Sequence, residues 1–315
     1  MINRKLLAGV LLVSVIAVQI GCSPVDNSKG VNGSGTKQEE TNKQAKDEKE
    51  KQAAIAADFK ALVDKESGVQ ELIGFIDKNI SSVSKDVASI MITGLEEAQK
   101  KYLPDLEKEF YSDVSIQEKM LKEYPRGFDM GKIDNVKDEK LKKLLVETRD
   151  SGYKVETAEG MYFPIINYQF YKKYSSYATP DIAEYVNIMS VESDKVPAKD
   201  AAIVIGWDEV LNRASSQEKF LEKYGDSIRA DDIKELYKKY VTFALYGANN
   251  TPMFSYGKKL MDNEAKGIYA KVAASNEGGK LKEIIAGFFD TVKKNGYKLT
   301  DEVDQYRKGI IDNIK

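Results

Sequence analysis

The segment IKELYKKYVTFALYG, residues 233–247, sets the fold class. Ile233, Leu236, Tyr237, Tyr240, Val241 and Ala244 recur at intervals of three and four. That spacing gathers them on one face of a helix with 3.6 residues per turn, and Gly247 then supplies a helix stop. The same pattern spreads outward in both directions. Downstream, Leu281, Ile284, Ile285, Phe288 and Val292 form a stripe ending at Asn295-Gly296, and Val303, Tyr306, Ile310 and Ile311 form another. Upstream lie Ile55, Phe59, Leu62 and Val63; then Val69, Leu72, Ile73 and Ile76; then Val83, Val87, Ile90, Met91 and Leu95. Helix starts are expected at Ser115 with Glu118 and Ser215 with Glu218, which have capping-box spacing, and at Thr179-Pro180 and Thr251-Pro252, where proline takes the first helical position. The chain is therefore predicted to be all-α, a multi-helix bundle of about ten helices, without a fixed-period repeat.

One stretch leaves the helical period. Tyr153, Val155 and Thr157 alternate with Lys154 and Glu156, Ala158-Glu159-Gly160 offers a turn, and Met161, Phe163 and Ile165 alternate again. This predicts a short β-hairpin over residues 153–165, with Pro164 confining the second strand to an edge. It divides a helical first part, residues 51–150, from a second part, 151–315, and the two are expected to pack as one globular unit. Before them, residues 22–50 combine Gly30, Gly33 and Gly35 with Ser, Asn, Lys and Glu, and have scarcely an aliphatic side chain. Such a composition buries too little surface to offset the entropy of ordering, so it reads as a tether.

At the N-terminus, Arg4 and Lys5 precede an apolar run from Leu6 to Ile20, diluted by Gly9, Ser14 and Gln19. Gly21-Cys22 follows, and that cysteine is the single one in the chain. The arrangement resembles the signal peptide and lipobox of bacterial lipoproteins. Gly21 fits the small residue that the family places before the cysteine, while Gln19 departs from its usual leucine. The resemblance implies removal of residues 1–21, a diacylglycerol on the Cys22 thiol, and a mature chain held on the outer face of the cytoplasmic membrane, with a Gram-positive surface expected. Two acyl chains anchor stably where one gives reversible binding.

Composition narrows the chemistry further. The full chain carries 48 Lys and Arg against 50 Asp and Glu, a net charge of −2. Loss of Arg4 and Lys5 with the leader would bring this to about −4. A nearly balanced charge offers no footprint for nucleic acid. Histidine is absent, so Ser-His-Asp triads, Cys-His dyads and His-liganded metal centres cannot be assembled. No cofactor motif is recognisable. Carboxylate, lysine, tyrosine or serine chemistry survives, with hard metals bound through oxygen.

Tyrosine is the densest unusual feature: Tyr153, Tyr162, Tyr168, Tyr171, Tyr174, Tyr177 and Tyr185 lie in the hairpin and the helix after it. The first six form a candidate binding surface, because rings with a polar tip suit sugars or peptides. Against this, residues three apart sweep around an α-helix, so Tyr168, Tyr171, Tyr174 and Tyr177 cannot all share one α-helical face, and a core role competes. Trp207, with Ile203, Val210 and Leu211, reads as core. Glu156 and Glu159 could converge at the hairpin as a carboxylate pair. Ser82/Lys85, Ser216/Lys219 and Ser255/Lys258 match the Ser-x-x-Lys pattern without its Lys-Thr-Gly partner. Asp129, Asp134 and Asp138 lack the glycine and closing glutamate of a calcium loop.

No catalytic motif rises above chance. The leading expectation is a lipid-anchored helical module that binds another envelope component, protein or glycan. A carboxylate-based hydrolase of cell-wall glycan using Glu156 or Glu159 is the alternative. A solute-binding lipoprotein is a third reading, but the chain lacks the repeated apolar strands of two α/β lobes.

Overall fold

The computed structural model describes residues 35–276 and 278–314, with side chains from Gln44 onward. The leader, Cys22 and the start of the tether lie outside the described residues. The chain divides into two units, residues 1–47 and 48–315. Of the first, the described part is the opening of helix α1 (Gly35–Asp64). Helix thus begins inside the segment read as a tether, where Gln, Glu, Lys and Ala supply strong helix formers and no proline intervenes after Gly35.

The second unit continues through α2 (Val69–Asn79), α3 (Lys85–Tyr111), α4 (Val114–Glu123) and α5 (Glu139–Asp150) to a hairpin of β1 (Tyr153–Ala158) and β2 (Met161–Ile166). A single-turn α6 (Tyr168–Tyr171) and α7 (Pro180–Asp194) follow, then β3 (Ala198–Lys199) and β4 (Ala202–Ile203). The chain closes with α8 (Trp207–Lys223), α9 (Ala230–Tyr246), β5 (Gly247–Ala248), β6 (Thr251–Pro252), α10 (Asn263–Ala274), α11 (Lys280–Lys294) and α12 (Asp301–Asn313). The architecture is all-α, a multi-helix bundle with small two-stranded pieces. Among the described residues, no helix is long and apolar enough to cross a membrane.

Packing follows the stripes closely at α9 and α11. Ile233, Tyr237, Tyr240, Val241, Ala244 and Leu245 are buried, as are Leu281, Ile284, Ile285, Phe288, Phe289 and Val292. On α3 the buried face is rotated from the expected one. Ile90 is exposed, while Ala88, Met91, Ile92 and Leu95 turn inward together with the polar Glu96 and Gln99.

Two hydrophobic clusters result. The first joins α2 to α7 with the hairpin and runs from Phe59 to Ile188, with Phe220 and Ile233 added. The second runs from Ile203 to Val303. The cores therefore change over between α7 and α8, well past residue 150, because the hairpin packs against α3 and α4.

The helix starts divide. Thr179 stands at the N-cap position of α7 with Pro180 opening the helix, as expected, although its hydroxyl bonds Ser89 at 2.9 Å and makes no cap to the helix backbone. At α4 the cap is Asp113, whose carboxylate accepts from Ser115 N, so Ser115 sits inside the helix. Ser215 and Glu218 lie within α8, where the buried stripe from Trp207 to Phe220 carries the helix through. Thr251-Pro252 is a strand. Gly247 pairs with Pro252 across the tight β5–β6 turn, Met253 N donates to the Tyr246 carbonyl at 3.0 Å, and the Thr251 hydroxyl accepts from Ile203 N at 3.1 Å.

The hairpin pairs Tyr153 with Ile166 through to Ala158 with Met161. Glu159 and Gly160 form its two-residue turn with φ of 51° and 74°, the doubly positive geometry that matches strand twist. Tyr162, Pro164 and Ile166 face inward. Both phases of this strand are apolar, so pairing with Tyr153 and Val155 selects the face. Its outer edge is met by Gln117, whose amide donates to Tyr162 O at 2.8 Å and accepts from Tyr162 N at 2.9 Å. Pro164, two residues on, has no N–H needing such a partner.

Candidate functional site

The tyrosine cluster is an internal network. Tyr153, Tyr162, Tyr168, Tyr171 and Tyr174 are all buried, so they form no binding surface; Tyr177 alone of the six is exposed. The reason lies in the winding. Residues 172–174 form a 3-10 turn, in which side chains three apart nearly eclipse, and this brings Tyr174 beside Tyr171. Tyr168 and Tyr171 stack at 5.6 Å between ring centroids.

The Tyr174 hydroxyl donates to Asp77 on α2 at 2.7 Å and that of Tyr162 to the Tyr124 carbonyl at 2.5 Å, while four others point to α3. Tyr168 and Tyr185 donate to Glu96 Oε1 at 2.5 and 2.6 Å, Tyr171 donates to Gln99 Oε1, and Tyr153 donates to the Gln99 carbonyl at 2.8 Å. Arg229 Nη2 lies 2.6 Å from Glu96 Oε2. Burial first, then Tyr185 and Glu96 beside Tyr168 and Glu96 beside Tyr185, pushes both phenols far above their ordinary range, so both stay protonated as donors.

At the hairpin, Glu156 Oε1 accepts from Lys199 Nζ at 2.5 Å and from Thr157 N at 2.8 Å. Glu159 is exposed at the turn tip. Glu156 borders an open depression of about 590 Å³ with Asp129, Lys154 and Asp194, and its direct partner there is a lysine instead of a second carboxylate. Asp129 and Asp138 act as helix caps, accepting from Gly131 N and Leu141 N. Among the described residues, no group of three or more acidic or cysteine side chains could hold a metal ion. The Ser82 and Ser216 hydroxyls donate to backbone carbonyls, and that of Ser255 accepts from Leu260 N. Trp207 is core, with its Nε1 donating to Asp262 at 3.0 Å.

The site with the most developed geometry is a groove between α7 and α8, where the two cores change over. It encloses about 300 Å³. One wall carries Glu184, Asn187, Ile188, Val191 and Glu192, and the other Glu209, Asn212, Arg213, Ser216 and Gln217. Both sets recur at three- and four-residue intervals, so each is a single helical face. The opposite face of α7, through Ile182, Tyr185 and Val186, and the adjoining face of α8, through Trp207, Val210 and Ala214, hold the helices in place, and Gln217 sits where the α8 wall meets that packed face.

Arg213 organises the floor. Its Nε donates to Glu209 Oε1 at 3.1 Å, Nη2 donates to the same oxygen, and Nη1 reaches Glu192 at 3.2 Å, the Lys195 carbonyl at 3.0 Å and Tyr240 Oη at 3.1 Å. Tyr240 in turn donates to Glu192 at 2.6 Å. Burial opposes the Arg213 charge, but Glu209, Tyr240 and Glu192 outweigh it and hold the guanidinium above its ordinary range. Lys195, 2.9 Å from Glu209, and then Arg213 keep the Glu209 carboxyl below the usual range, so it stays ionised.

Arg213, the one cation among the described lining residues, is engaged on all three nitrogens. Glu184 meets no cation within salt-bridge distance among the described residues, and Val191 adds an exposed apolar patch. Gln217 is fully buried on this wall, and neither its amide nitrogen nor its oxygen has a partner. Arg213 and Gln217 are polar residues that interrupt the 207–220 stripe; Ile203, expected on one helical stripe with Trp207, Val210 and Leu211, is buried in β4 ahead of the helix. Compared with family models, with curated proteins and with solved structures, the chain matches none.

Proposed function

We propose that this protein is an exported, lipid-anchored binding lipoprotein that works on the outer face of the cytoplasmic membrane. The observation that carries the reading is Cys22, the one cysteine of the chain, set directly after Gly21 at the end of an apolar leader. The folded unit supports binding over hydrolysis. The α7–α8 groove has a polar floor cross-linked through Arg213, whereas Glu156 at the hairpin is paired with Lys199. The partner in this reading is an envelope component, protein or glycan, reached through the anchor.

The test is metabolic labelling of the full chain in a bacterial host with a clickable fatty acid. The wild type is expected to take up label, and Cys22→Ala to lose it by about tenfold or more, since the thiol is the single attachment point. Equal labelling of the two forms would refute the anchor.

A further inference from the structure

We infer that the α7–α8 groove binds a short peptide segment, reading one peptide unit with Gln217 and an adjacent positive charge with Glu184. This rests on the binding-lipoprotein reading and names the ligand class.

Buried polar groups in folded proteins are almost always hydrogen-bonded, and Gln217 is an exception at both ends of its amide. Position 217 belongs to the stripe of Trp207, Val210, Ala214 and Phe220, where leucine would fill the same space without an unmet donor or acceptor. A primary amide is matched by a group that donates and accepts side by side, as a peptide residue does with its N–H and C=O. The molecule already uses that mode once, where Gln117 grips both backbone groups of Tyr162 at 2.9 and 2.8 Å.

The surrounding charge selects the sign of the ligand. Glu184, Glu192 and Glu209 line the groove; Arg213 is held by the last two and Lys195 also pairs with Glu209, which leaves Glu184 as the carboxylate without a cation among the described residues. An anion would meet these carboxylates, while a lysine ammonium would meet Glu184, whose one side-chain bond comes from Asn187 at 3.3 Å. Ile188 and Val191 offer an apolar wall for the lysine methylenes. A volume of about 300 Å³ is at the lower limit for a small ligand and suits roughly two residues.

The experiment is calorimetric titration of the full chain in detergent with three probes: acetyl-Ala-Lys amide, acetyl-Ala-Glu amide and N-acetylglucosamine. The lysine peptide is expected to bind in roughly the millimolar range, as a small ligand in an open groove should, and about tenfold more tightly than the glutamate peptide. Gln217→Leu is expected to weaken it about tenfold, while its thermal midpoint holds or rises because an unpaired amide has gone. Glu184→Gln is expected to erase the preference for lysine. Failure of all three probes, equal binding of both peptides, tighter binding of the sugar, undiminished affinity of Gln217→Leu, or a lowered midpoint of that variant would each overturn the proposal. Fatty-acid labelling reads the anchor independently, so a failed titration with intact labelling removes the ligand class and leaves the lipoprotein reading standing.

Discussion

Glu96→Ala is expected to destabilise the protein by about 3–5 kcal/mol, the range for removing one partner from a buried ion pair. The Glu96 carboxylate is 2% exposed, accepts from Tyr168 and Tyr185, and lies 2.6 Å from Arg229. Its loss strands two buried phenols and leaves the buried Arg229 with Glu97 at 2.9 Å and Asp232 at 3.0 Å, both more exposed than Glu96. Glu96→Gln keeps an acceptor and removes the charge, so it should fall between the parent and the alanine variant. Urea denaturation followed by circular dichroism measures both. An alanine variant within about 1 kcal/mol of the parent would mean that the tyrosine network is not held from α3.

Gly247→Ala is expected to cost about 3 kcal/mol or more, through the backbone. Gly247 ends α9 at φ 74° and ψ −149°, a conformation that residues with a side chain rarely enter. A Cβ there would stand 2.6 Å from Met253 N and 3.0 Å from Pro252 C, with the Thr251 carbonyl closer still. Relief would require opening the β5–β6 turn that leads into the second core. Gly296 provides the contrast, since its φ is 62° and a Cβ would meet nothing within 4 Å. Gly296→Ala should therefore lose about 1–2 kcal/mol, from left-handed strain alone. Equal thermal shifts for the two variants would refute the steric account.

What could be read from the sequence tracks how many residues vote together. The α9 and α11 stripes each repeat an apolar face over several turns and end at Gly247 or Asn295-Gly296, and both are helices with that face buried. The hairpin carried an alternation together with a turn at Glu159-Gly160. Two-residue signals fared worse. Ser215 with Glu218 spells a capping box, but a longer apolar stripe runs through it; Thr251-Pro252 spells a helix start, but the φ of Gly247 commits the chain to a tight turn first.

The tyrosines show a different limit. Their spacing of three is incompatible with one face of an α-helix, yet a local 3-10 turn sets Tyr174 beside Tyr171, and the acceptors of Tyr168 and Tyr171 on α3 lie 72 residues away in sequence, that of Tyr174 on α2 97. No local pattern announces a partner at that distance. The groove was hidden in the same way, because its walls come from two helices whose outward-facing residues look like ordinary solvated ones until α7 and α8 are set side by side. Gln217 was the available signal, an amide on an apolar stripe.

Anchoring at the membrane requires processing at Cys22, and the mass of the native N-terminal peptide tests this most directly. Protein recovered from the membrane fraction, digested and measured by mass spectrometry, should begin at Cys22 and carry the added mass of a diacylglycerol on its sulfur. A peptide retaining Met1 to Gly21, or one beginning at Cys22 with a free thiol, would contradict it.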